Sequence, residues 1–478
     1  MKKILFVGAE VMPFAATGGL GDVMGSLPAS IARADAETDV RVVMPLYGAI
    51  GEDWRAQMED VVTFELWLSW RRLYCGVKCI KRDNVMYYFV DNEYYFKREG
   101  LYGHYDDGER YAYFCMAVLE MLGHIGFYPD ILHANDWHSA LSVIYLKRLF
   151  QTRQGYAGIK TVFTIHNIEY QGKYDFRILG DVFGLAEDAH GMLEYDGCIN
   201  LMKGAIVCAD RVSTVSPRYA EEICTAEYAH GLEYIIRAER SKLRGILNGI
   251  DYDYYNPETD ADIPFDFSSE SLSEKGKNKV ALQEECVLSV SKDTLVIAIV
   301  SRLASHKGLD LVVEIAERVL SERDVQLIVL GQGEGRYEQF FRELEKRFPG
   351  KMRALICYDR ALSKKVYAAA DVFVMPSKSE PCGLSQMIAS RYGAVPVVRE
   401  TGGLYDSIKP YREEAGEIFG NGFTFADYSA KVLWGSLLAA ESLYRRSDAW
   451  SRLVRTVMTT DFSWSASAKK YLEMYQEI

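Results

Sequence analysis

Positive charge, cysteine motifs and long apolar segments are all scarce in this sequence. Lysine and arginine number 55 against 67 aspartates and glutamates, so the formal net charge is −12. A protein that binds nucleic acid normally presents a basic face, so this composition argues against a nucleic-acid partner. Any site for an anion must therefore be built locally, from a few cations and helix N-termini.

The nine cysteines include no Cys-x-x-Cys pair. Cys75 and Cys79 share one face of a predicted strand, which favours packing over metal binding. A reducing cytoplasm is the simplest compartment for such a chain. No stretch reaches the ~20 apolar residues of a membrane-spanning helix, and Glu10 interrupts the short N-terminal apolar run. We therefore expect a soluble, cytoplasmic protein with no membrane partner.

Apolar runs typical of buried strands alternate with helical patterns through most of the chain. One set lies before residue 250, and a second begins at 295–300. Such alternation predicts parallel sheets covered by helices, and therefore an α/β protein. The polar, acidic stretch 253–279 predicts a linker. We predict domains at 1–252 and 253–461, and a C-terminal helix at 462–478 that returns to the first domain.

The hexad Thr-Gly-Gly-Leu-x-Asp occurs twice, at Thr17–Asp22 and Thr401–Asp406. The first copy follows the apolar strand 4–7 and precedes a predicted helix at 23–31. A diglycine at a strand-to-helix turn lets backbone N–H groups approach an anion, because no Cβ stands in the way. Two such turns predict two Rossmann-like halves that act on one ligand.

Arg302 and Lys307 lie on a loop between a buried strand and a helix predicted at 309–320. Loops at this position bind ligands in α/β folds, and two cations there are suited to a diphosphate. A solvated basic loop explains the two cations equally well when the loop is taken alone. Gly308, at the start of the helix, favours the binding interpretation.

Glu380 precedes Pro381, which suits the first turn of a helix. An isolated glutamate there is best explained as a helix cap. Beside the Arg302 loop and the second diglycine, an acceptor for a sugar hydroxyl becomes the favoured interpretation. Cys382 has no paired histidine, so we interpret it as a packing or contact residue rather than a nucleophile.

Three polar residues, His133, Asp136 and His138, superficially imitate a metal cluster at the end of a strand. Their spacing alternates and they lack cysteine or glutamate partners, so metal binding is the weaker interpretation. Residues 87–113 contain eight tyrosines. We interpret most of them as half-buried strand residues, with one or two lining a path for a glucan.

Together, and in this order, several segments resemble bacterial glycogen synthases and plant starch synthases. The resemblance covers nearly the whole chain and rests on residues 18–22, 133–138, 163–172, 202–204, 213–217, 248–251, 301–310, 380–385 and 401–404. It implies the GT-B fold, in which two Rossmann-like domains face a central cleft. It also implies transfer of glucose from ADP-glucose to the non-reducing 4-OH of an α-1,4-glucan, with retention of configuration. Neither a cofactor nor a metal is expected, because cations of the protein and helix ends take that role.

The resemblance also assigns roles to individual residues. Arg302 and Lys307 would stabilise the leaving diphosphate, Glu380 would hold the donor sugar, and Asp136 and His166 would line the reacting centre. The remaining donor-binding residues would be Glu10, Gly18, Gly19, Asp22, Asn167, Asn248, Tyr358, Cys382, Gly383, Leu384, Ser385, Thr401, Gly402 and Gly403. The acceptor would meet Tyr95 and Trp137.

One position departs from the family pattern. Ala16 stands where the family usually has a lysine, two positions before the first diglycine. A lost charge-assisted hydrogen bond to phosphate weakens binding by about 1.5–3 kcal/mol. Lys203 is a candidate to supply this contact in place of the missing lysine.

Three other functions compete with this interpretation. A GT-B enzyme with a UDP-sugar donor often carries a second glutamate eight residues after the one that matches Glu380, and here that residue is Ile388. A non-catalytic glucan-binding paralogue would explain Ala16 but not the five residues assigned to catalysis. A dinucleotide-dependent oxidoreductase would need Gly-x-Gly-x-x-Gly after the first strand, which this chain lacks.

Overall fold

The structure, a computed structural model, describes residues 2–478. The chain divides into two compact units. The N-terminal unit contains the residues up to Asn248 together with Trp464–Ile478, and the C-terminal unit is Gly249–Ser463. The predicted domain ranges begin with Met1, which lies outside the described residues.

A nine-stranded sheet, counted within residues 2–478, forms the centre of the N-terminal unit. Its strand order is β12-β11-β7-β6-β1-β2-β5-β4-β3; the β3–β4 and β4–β5 pairs at one edge are antiparallel and the other pairs are parallel. A small sheet, β8-β10-β9, lies beside it. The strands of this unit are β1 Lys3–Val7, β2 Asp39–Pro45, β3 Glu59–Leu68, β4 Arg71–Arg82, β5 Val85–Asp91, β6 Ile131–Asn135, β7 Lys160–Ile165, β8 Lys173–Tyr174, β9 Glu194–Tyr195, β10 Cys198–Asn200, β11 Arg211–Thr214 and β12 Leu243–Gly245.

Helices cover both faces of this sheet, so the central strands are buried along nearly their whole length, as parallel strands require. The helices are α1 Gly19–Ala34, α2 Glu52–Arg55, α3 Glu93–Phe96, α4 Asp107–Ile125, α5 Trp137–Tyr145, α6 Ile178–Asp181, α7 His190–Leu193, α8 Leu201–Cys208, α9 Pro217–Glu222, α10 Glu233–Ala238 and α19 Trp464–Gln476. Helix α19 packs against α1, and its Tyr471 and Tyr475 are fully buried.

The C-terminal unit contains a six-stranded, all-parallel sheet within the described chain, with the order β15-β14-β13-β16-β17-β20. Its strands, including the separate hairpin β18–β19, are β13 Leu295–Val300, β14 Val325–Leu330, β15 Met352–Leu355, β16 Val372–Met375, β17 Val395–Arg399, β18 Arg412–Glu414, β19 Glu417–Phe419 and β20 Phe423–Phe425. Its helices are α11 Leu272–Glu285, α12 Leu309–Glu322, α13 Gly335–Arg347, α14 Arg360–Ala369, α15 Ser385–Arg391, α16 Gly402–Ser407, α17 Ala430–Tyr444 and α18 Ser447–Thr459.

The predicted α/β fold class is confirmed, but the predicted linker at 253–279 is wrong from Leu272 onward. Helix α11 begins at Leu272 and buries Lys275 and Lys279. The ammonium of Lys275 donates to the carbonyls of Ala368 and Tyr392, at 2.7 and 2.9 Å. These polar side chains are satisfied only by tertiary contacts, so the local composition misleadingly resembles that of a solvated linker.

Both hexads lie at helix N-termini that follow strands. Helix α1 begins at Gly19, four residues earlier than predicted, and α16 begins at Gly402. Among residues 2–478, no helix has both the length and the apolar character needed to cross a bilayer.

Asp371 provides a test of the buried polar network in the C-terminal unit. Its carboxylate accepts from Lys279 Nζ at 2.7 Å and from the backbone N–H of Val296 at 2.8 Å. We expect Asp371→Ala to lower the free energy of unfolding by about 3–5 kcal/mol, because the Lys279 ammonium stays buried without its carboxylate. Urea unfolding would measure the loss. The control Asp293→Ala removes an exposed carboxylate and should change stability by less than about 0.5 kcal/mol; equal effects would contradict the prediction.

Candidate active site

In the N-terminal unit, the parallel strands β1, β6 and β7 bring three predicted site residues to one edge of the sheet. Strand β6 pairs with both β1 and β7 in parallel register. Glu10, Asp136 and His166 each follow the carboxyl end of one of these strands. Ligand sites of α/β folds lie at this edge, so strand pairing alone gathers residues that are distant in sequence.

Glu10 is 4% exposed, and its carboxylate accepts several hydrogen bonds. The donors are the backbone N–H groups of Thr17 and Gly18, the Thr17 hydroxyl at 2.9 Å, and the hydroxyl of Tyr102. At the first diglycine turn, the backbone N–H groups of Thr17 and Gly18 thus donate to a side chain of the protein itself, and the predicted contact with a ligand anion stays a prediction. Burial raises the pKa of the Tyr102 phenol, and the charge of Glu10 raises it further.

Tyr102 belongs to this site, although the sequence analysis did not single it out. Its ring stacks on His138 at a centroid distance of 4.6 Å. The only sequence signal was its place in the tyrosine-rich stretch 87–113, where most other rings are explained by packing.

Gly18 is the N-cap of α1 and has extended backbone torsions. A Cβ at this position would meet no atom within 4 Å, so the space beside the Gly18 Cα is open. Gly19 begins the helix and is exposed, while Asp22 lies in its first turn. An anion approaching Gly18 and Gly19 would meet the positive end of a helix of 16 residues.

Asp136 has a φ of 57° and a ψ of 175°, a combination that non-glycine residues rarely adopt. Its carboxylate accepts from the backbone N–H of His166 at 2.8 Å, with that of Asn167 at 3.4 Å. Burial raises the pKa of Asp136 to about 7; the two backbone N–H groups oppose this rise, and the charge of Glu10 adds to it. The strained backbone therefore holds a carboxyl group that titrates near neutral pH.

The tautomer of His166 follows from the hydrogen bonds of Asn135. The Asn135 amide donates to the carbonyls of Val7 and His133, which leaves its Oδ1 as an acceptor. His166 Nε2 lies 2.9 Å from that oxygen and must carry the proton. Burial lowers the pKa of His166 to about 3. The ring is therefore neutral, and its Nδ1 can accept a hydrogen bond from a ligand.

The other residues of this strand end have structural partners. His133 lies between Tyr475 and Thr164, at 2.7 and 2.5 Å, and burial lowers its pKa to about 3. Within the described residues, no group of three or more histidine, cysteine, aspartate or glutamate side chains is arranged to hold a metal. Asn167 Oδ1 accepts from the backbone N–H of Glu169 at 3.0 Å.

The two predicted acceptor residues differ in exposure. Trp137 is half-buried and lies against His138 at 4.1 Å between ring centroids. Tyr95 is only 1% exposed, and its hydroxyl donates to Glu109 at 2.5 Å. A ring buried in this way has no surface for a sugar, whereas its neighbour Tyr94 is 71% exposed.

Lys203 does not replace the missing lysine at position 16. Its ammonium donates to the carbonyls of Gly191 and Glu194, at 2.9 and 2.5 Å. Ala16 instead packs on α1, because its Cβ lies 2.2 Å from where a Cβ on Gly21 would be.

Asn248 is buried, and among the described residues its Oδ1 has no hydrogen-bond partner.

In the C-terminal unit, an ion pair joins two predicted catalytic residues. Lys307 Nζ lies 2.7 Å from Glu380 Oε2, and the Ser377 hydroxyl donates to the same oxygen at 3.0 Å. Lys307 ends a 3₁₀ turn, Ser305–Lys307. Gly308 follows with a φ of +70°, and a Cβ there would lie 2.0 Å from the Pro376 carbonyl oxygen. Glycine at 308 is therefore required for the two loops to approach.

Arg302 follows β13, as Glu380 follows the adjacent parallel strand β16. Its side chain is exposed. Within the described part of the chain, no residue forms a hydrogen bond or ion pair with its guanidinium. Arg302 is thus available to an anion without the breaking of an existing contact.

The second diglycine serves a different purpose from the first. A Cβ on Gly402 would lie 2.0 Å from the Glu380 carbonyl oxygen, and one on Gly403 would lie 2.0 Å from that of Cys382. The N–H of Gly403 donates to the Glu380 carbonyl at 3.1 Å. Here glycine is needed because two backbone segments pack together, and this packing holds Glu380. Thr401, the N-cap of α16, is fully buried.

The prediction that Pro381 begins a helix is wrong, because α15 starts at Ser385 with Leu384 as its N-cap. The turn before it contains the buried Cys382 and Gly383, which has a φ of +71°. A glycine in the left-handed region separates Pro381 from the helix.

Tyr358 is 67% exposed, and Arg360 Nε donates to its hydroxyl at 2.9 Å.

Comparisons with known proteins agree along the whole chain. The family described as the starch synthase catalytic domain matches residues 3–238, and glycosyl transferases group 1 matches residues 285–452. Glycogen synthases of Ligilactobacillus salivarius and Streptococcus mutans are each 47% identical, and all of this chain and of each relative is covered. The glycogen synthase of Geobacillus stearothermophilus is 45% identical over all of this chain and 98% of its own.

The chain belongs to the glycogen and starch synthase family.

A solved member of this family, the catalytic domain of starch synthase IV from Arabidopsis thaliana bound to ADP and acarbose, superposes with a TM-score of 0.91. It is 33% identical and the match covers 100% of this chain and 99% of that one. Sucrose-phosphate synthase from Thermosynechococcus elongatus, at 16% identity and a TM-score of 0.63, shares the fold over 100% of this chain and 99% of its own. The predicted GT-B fold is confirmed, and family membership makes the protein a glycosyltransferase.

The raised pKa of Asp136 predicts a pH-dependent stability. A carboxyl group with a raised folded-state pKa favours folding in acid, and this contribution is lost as the pH rises through about 7. We therefore expect Asp136→Asn to stabilise the protein relative to wild type by up to about 4 kcal/mol at pH 8, with a smaller gain towards pH 4. Thermal melts across this range measure the difference.

Asp210→Asn provides a control of opposite sign. Although burial raises the pKa of Asp210, hydrogen bonds from Lys147 and Thr161 lower it on balance. This variant should be less stable than wild type at pH 8, and its deficit should shrink in acid. A stability difference for Asp136→Asn that is constant between pH 4 and pH 8 would contradict the prediction.

Proposed function

We propose that this protein transfers glucose from ADP-glucose to the non-reducing 4-OH of an α-1,4-glucan, with retention of the α configuration. The proposal rests on Arg302, whose guanidinium has no hydrogen-bond or ion-pair partner among residues 2–478, and on the Lys307–Glu380 ion pair at the same edge of the C-terminal sheet. Departure of a nucleoside diphosphate develops negative charge, and cations placed in advance stabilise such charge.

The ion pair suggests how the donor is received. A phosphate that attracts Lys307 weakens its bond to Glu380, whose carboxylate is then free to accept a hydrogen bond from a sugar hydroxyl. Arg302 supplies positive charge without any such exchange. Lys307 and Arg302 thus bind the diphosphate of the donor, and Glu380 binds its glucose.

The N-terminal unit offers groups suited to the reacting sugars. The unprotonated Nδ1 of His166 can accept a hydrogen bond from a hydroxyl. The Asp136 carboxyl group accepts a hydrogen bond from the backbone N–H of the same histidine. We assign a phosphate to the open space beside Gly18, where the N-terminus of α1 contributes its positive end. We assign Asp136 and His166 to the reacting centre on this basis.

The choice of ADP is supported by the Arabidopsis starch synthase IV structure, which was solved bound to ADP and acarbose. In the C-terminal unit, we assign the exposed Tyr358 and the turn before α15 to the binding of the adenine base of ADP. The proposal includes a cytoplasmic location, since the cysteines of residues 2–478 are all free.

A panel of sugar nucleotides with glycogen as acceptor tests the proposed reaction. Release of nucleotide should be fastest with ADP-glucose. We expect Arg302→Ala to lower kcat by about 100-fold, because a preorganised charge is lost from the transition state. Since Arg302 is exposed and unpaired within the described chain, this loss should occur without a change in thermal stability.

Lys378→Ala is the matched control, because Lys378 is an exposed cation on the loop that precedes Glu380. Its kcat should stay close to wild type. The proposed reaction fails if no sugar nucleotide supports turnover above that of Arg302→Ala. If UDP-glucose gave the fastest turnover, the proposed donor would be wrong, but transfer of glucose to the glucan would stand.

Ala16→Lys tests the departure from the family pattern. A lysine here would extend from the loop just before α1. This loop is close to Glu10, because the Ala16 Cβ and Glu10 Oε2 lie 2.2 and 3.3 Å from the position that a Cβ on Gly21 would take. We expect a new charge-assisted contact to phosphate and a KM for ADP-glucose about tenfold lower. Steady-state kinetics measures the change, with Ala16→Met as the control for side-chain bulk. Unchanged kinetics in Ala16→Lys would show that position 16 plays no part in donor selection.

A further inference from the structure

Arg399 is the last residue of β17, beside the loop that leads from β16 to Glu380. Strand β17 pairs in parallel with β16, and Val398 lies opposite Met375 in their register. Arg399 is therefore level with the first residue of that loop, at the edge of the sheet where ligand sites of α/β folds lie. No step of the proposed reaction uses this arginine.

The guanidinium of Arg399 is committed to backbone carbonyls. Its Nη1 donates to the carbonyl of Lys378 at 2.8 Å, with the carbonyl of Ser377 at 3.4 Å. Its Nε donates to the carbonyl of Ala426, just after β20, at 3.2 Å. Among residues 2–478, no carboxylate forms an ion pair with this side chain. Its positive charge is therefore left to strengthen the hydrogen bonds to the loop.

The backbone of Lys378 joins Arg399 to the turn that carries Lys307. Its carbonyl accepts from Arg399, and its N–H donates to the carbonyl of His306 at 2.8 Å. His306 lies in the 3₁₀ turn Ser305–Lys307, directly before Lys307. A displacement of the Lys378 backbone would therefore also displace this turn.

Ser377, one residue earlier, joins the same loop to Glu380. Its side chain is buried, at 1% exposed, and its hydroxyl donates to Glu380 Oε2 at 3.0 Å. Lys307 Nζ lies 2.7 Å from that same oxygen. One short stretch of backbone thus sets the geometry of the ion pair, because it is bonded to the turn of one partner and to the carboxylate of the other.

Tyr428 provides a second connection between Arg399 and the Lys307 turn. Its ring centroid lies 5.5 Å from the guanidinium carbon, within the range of a cation–π contact. Its hydroxyl donates to Asp310 Oδ1 at 2.5 Å. Asp310 lies in the first turn of α12, which begins two residues after Lys307. Contacts of Arg399 therefore extend to both sides of the turn.

Direct binding of a phosphate is the competing role for Arg399. Two of its three guanidinium nitrogens already donate to carbonyls. Arg302, in contrast, offers a guanidinium without a hydrogen-bond or ion-pair partner among residues 2–478. The observed contacts therefore favour a role of Arg399 through the loop rather than on the ligand.

We propose that Arg399 is a positioning residue of the donor site, which holds the backbone of Ser377 and Lys378 so that Lys307 and Glu380 stay paired. The use of that pair in glucose transfer rests on the proposed function. Arg399 itself touches neither partner of the pair. Its effect on the reaction depends on distance, since displacements of about 1 Å can lower a rate by up to about 100-fold.

A double-mutant cycle separates this role from a direct contact. Arg399→Met keeps the apolar stem but removes the donors, and should lower kcat/KM for ADP-glucose about tenfold. In a Lys307→Ala background, the same change should lower it by less than about twofold, because the geometry it protects is already lost. The KM for glycogen should stay within about twofold of wild type, since only the donor site is altered.

Arg399→Lys tests the hydrogen bond itself. A lysine has a shorter reach and one ammonium in place of the fork, but it can still donate to the Lys378 carbonyl. We expect it to recover at least about threefold of the tenfold loss of kcat/KM seen in Arg399→Met. A lysine that performs no better than methionine would contradict the proposal.

Arg452→Met is the matched control in the same unit. Arg452 is also half-buried, and its Nη1 donates to a backbone carbonyl, that of Gly416, at 2.6 Å. Gly416 lies in the β18–β19 hairpin, outside the loops that carry Lys307 and Glu380. This variant should keep kcat/KM for ADP-glucose within about twofold of wild type.

Hydrogen–deuterium exchange measures the hold on the loop without any donor. The Lys378 N–H is bonded to His306, so its exchange should become at least about tenfold faster in Arg399→Met. Amides of β14, Val325–Leu330, should exchange as in wild type. Equal acceleration in β14 would mean a general loss of stability and would overturn the proposal.

The proposal is also overturned if exchange at Lys378 is unchanged, or if Arg399→Met costs the full tenfold in the Lys307→Ala background. The second result would make Arg399 a direct and independent contact of the donor. If wild type turns over no sugar nucleotide while exchange at Lys378 still depends on Arg399, the proposed function fails but the hold of Arg399 on the loop stands.

Discussion

The ion pair between Lys307 and Glu380 is the contact around which the candidate site of the C-terminal unit is built. Each partner is held by a glycine that allows two backbones to touch: Gly308 against Pro376, and Gly402 against Glu380 itself. A side chain at either glycine would separate the loops. In the proposed reaction, a donor whose diphosphate attracts Lys307 would weaken this pair, so donor binding and the integrity of the pair would be coupled.

The N-terminal unit holds two buried acidic side chains by hydrogen bonds rather than by an ion pair. Glu10 is satisfied by backbone N–H groups and by Tyr102, and Asp136 by the backbone of His166. Neither acid needs a lysine or arginine partner for its hydrogen bonds.

Several local predictions failed where tertiary contacts outweighed composition. The polar residues of α11 were interpreted as part of a linker, because Lys275 and Lys279 find their partners on distant strands and helices. Pro381 did not start a helix, since Gly383 in the left-handed region intervenes. Tyr95 was expected to meet the acceptor, yet its ring is buried and its hydroxyl donates to Glu109.

The sequence by itself determined the α/β class, the two sets of strands and the family, because hydrophobic periodicity and ordered motifs are local properties of the chain. It also identified the loops that contain Arg302, Lys307 and Glu380. Only the tertiary structure decided which of these charges are paired, which ring nitrogen of His166 carries the proton and which aromatic rings face solvent. Those properties depend on distances between residues far apart in the chain, and parallel strand pairing sets such distances without leaving a local pattern in the sequence.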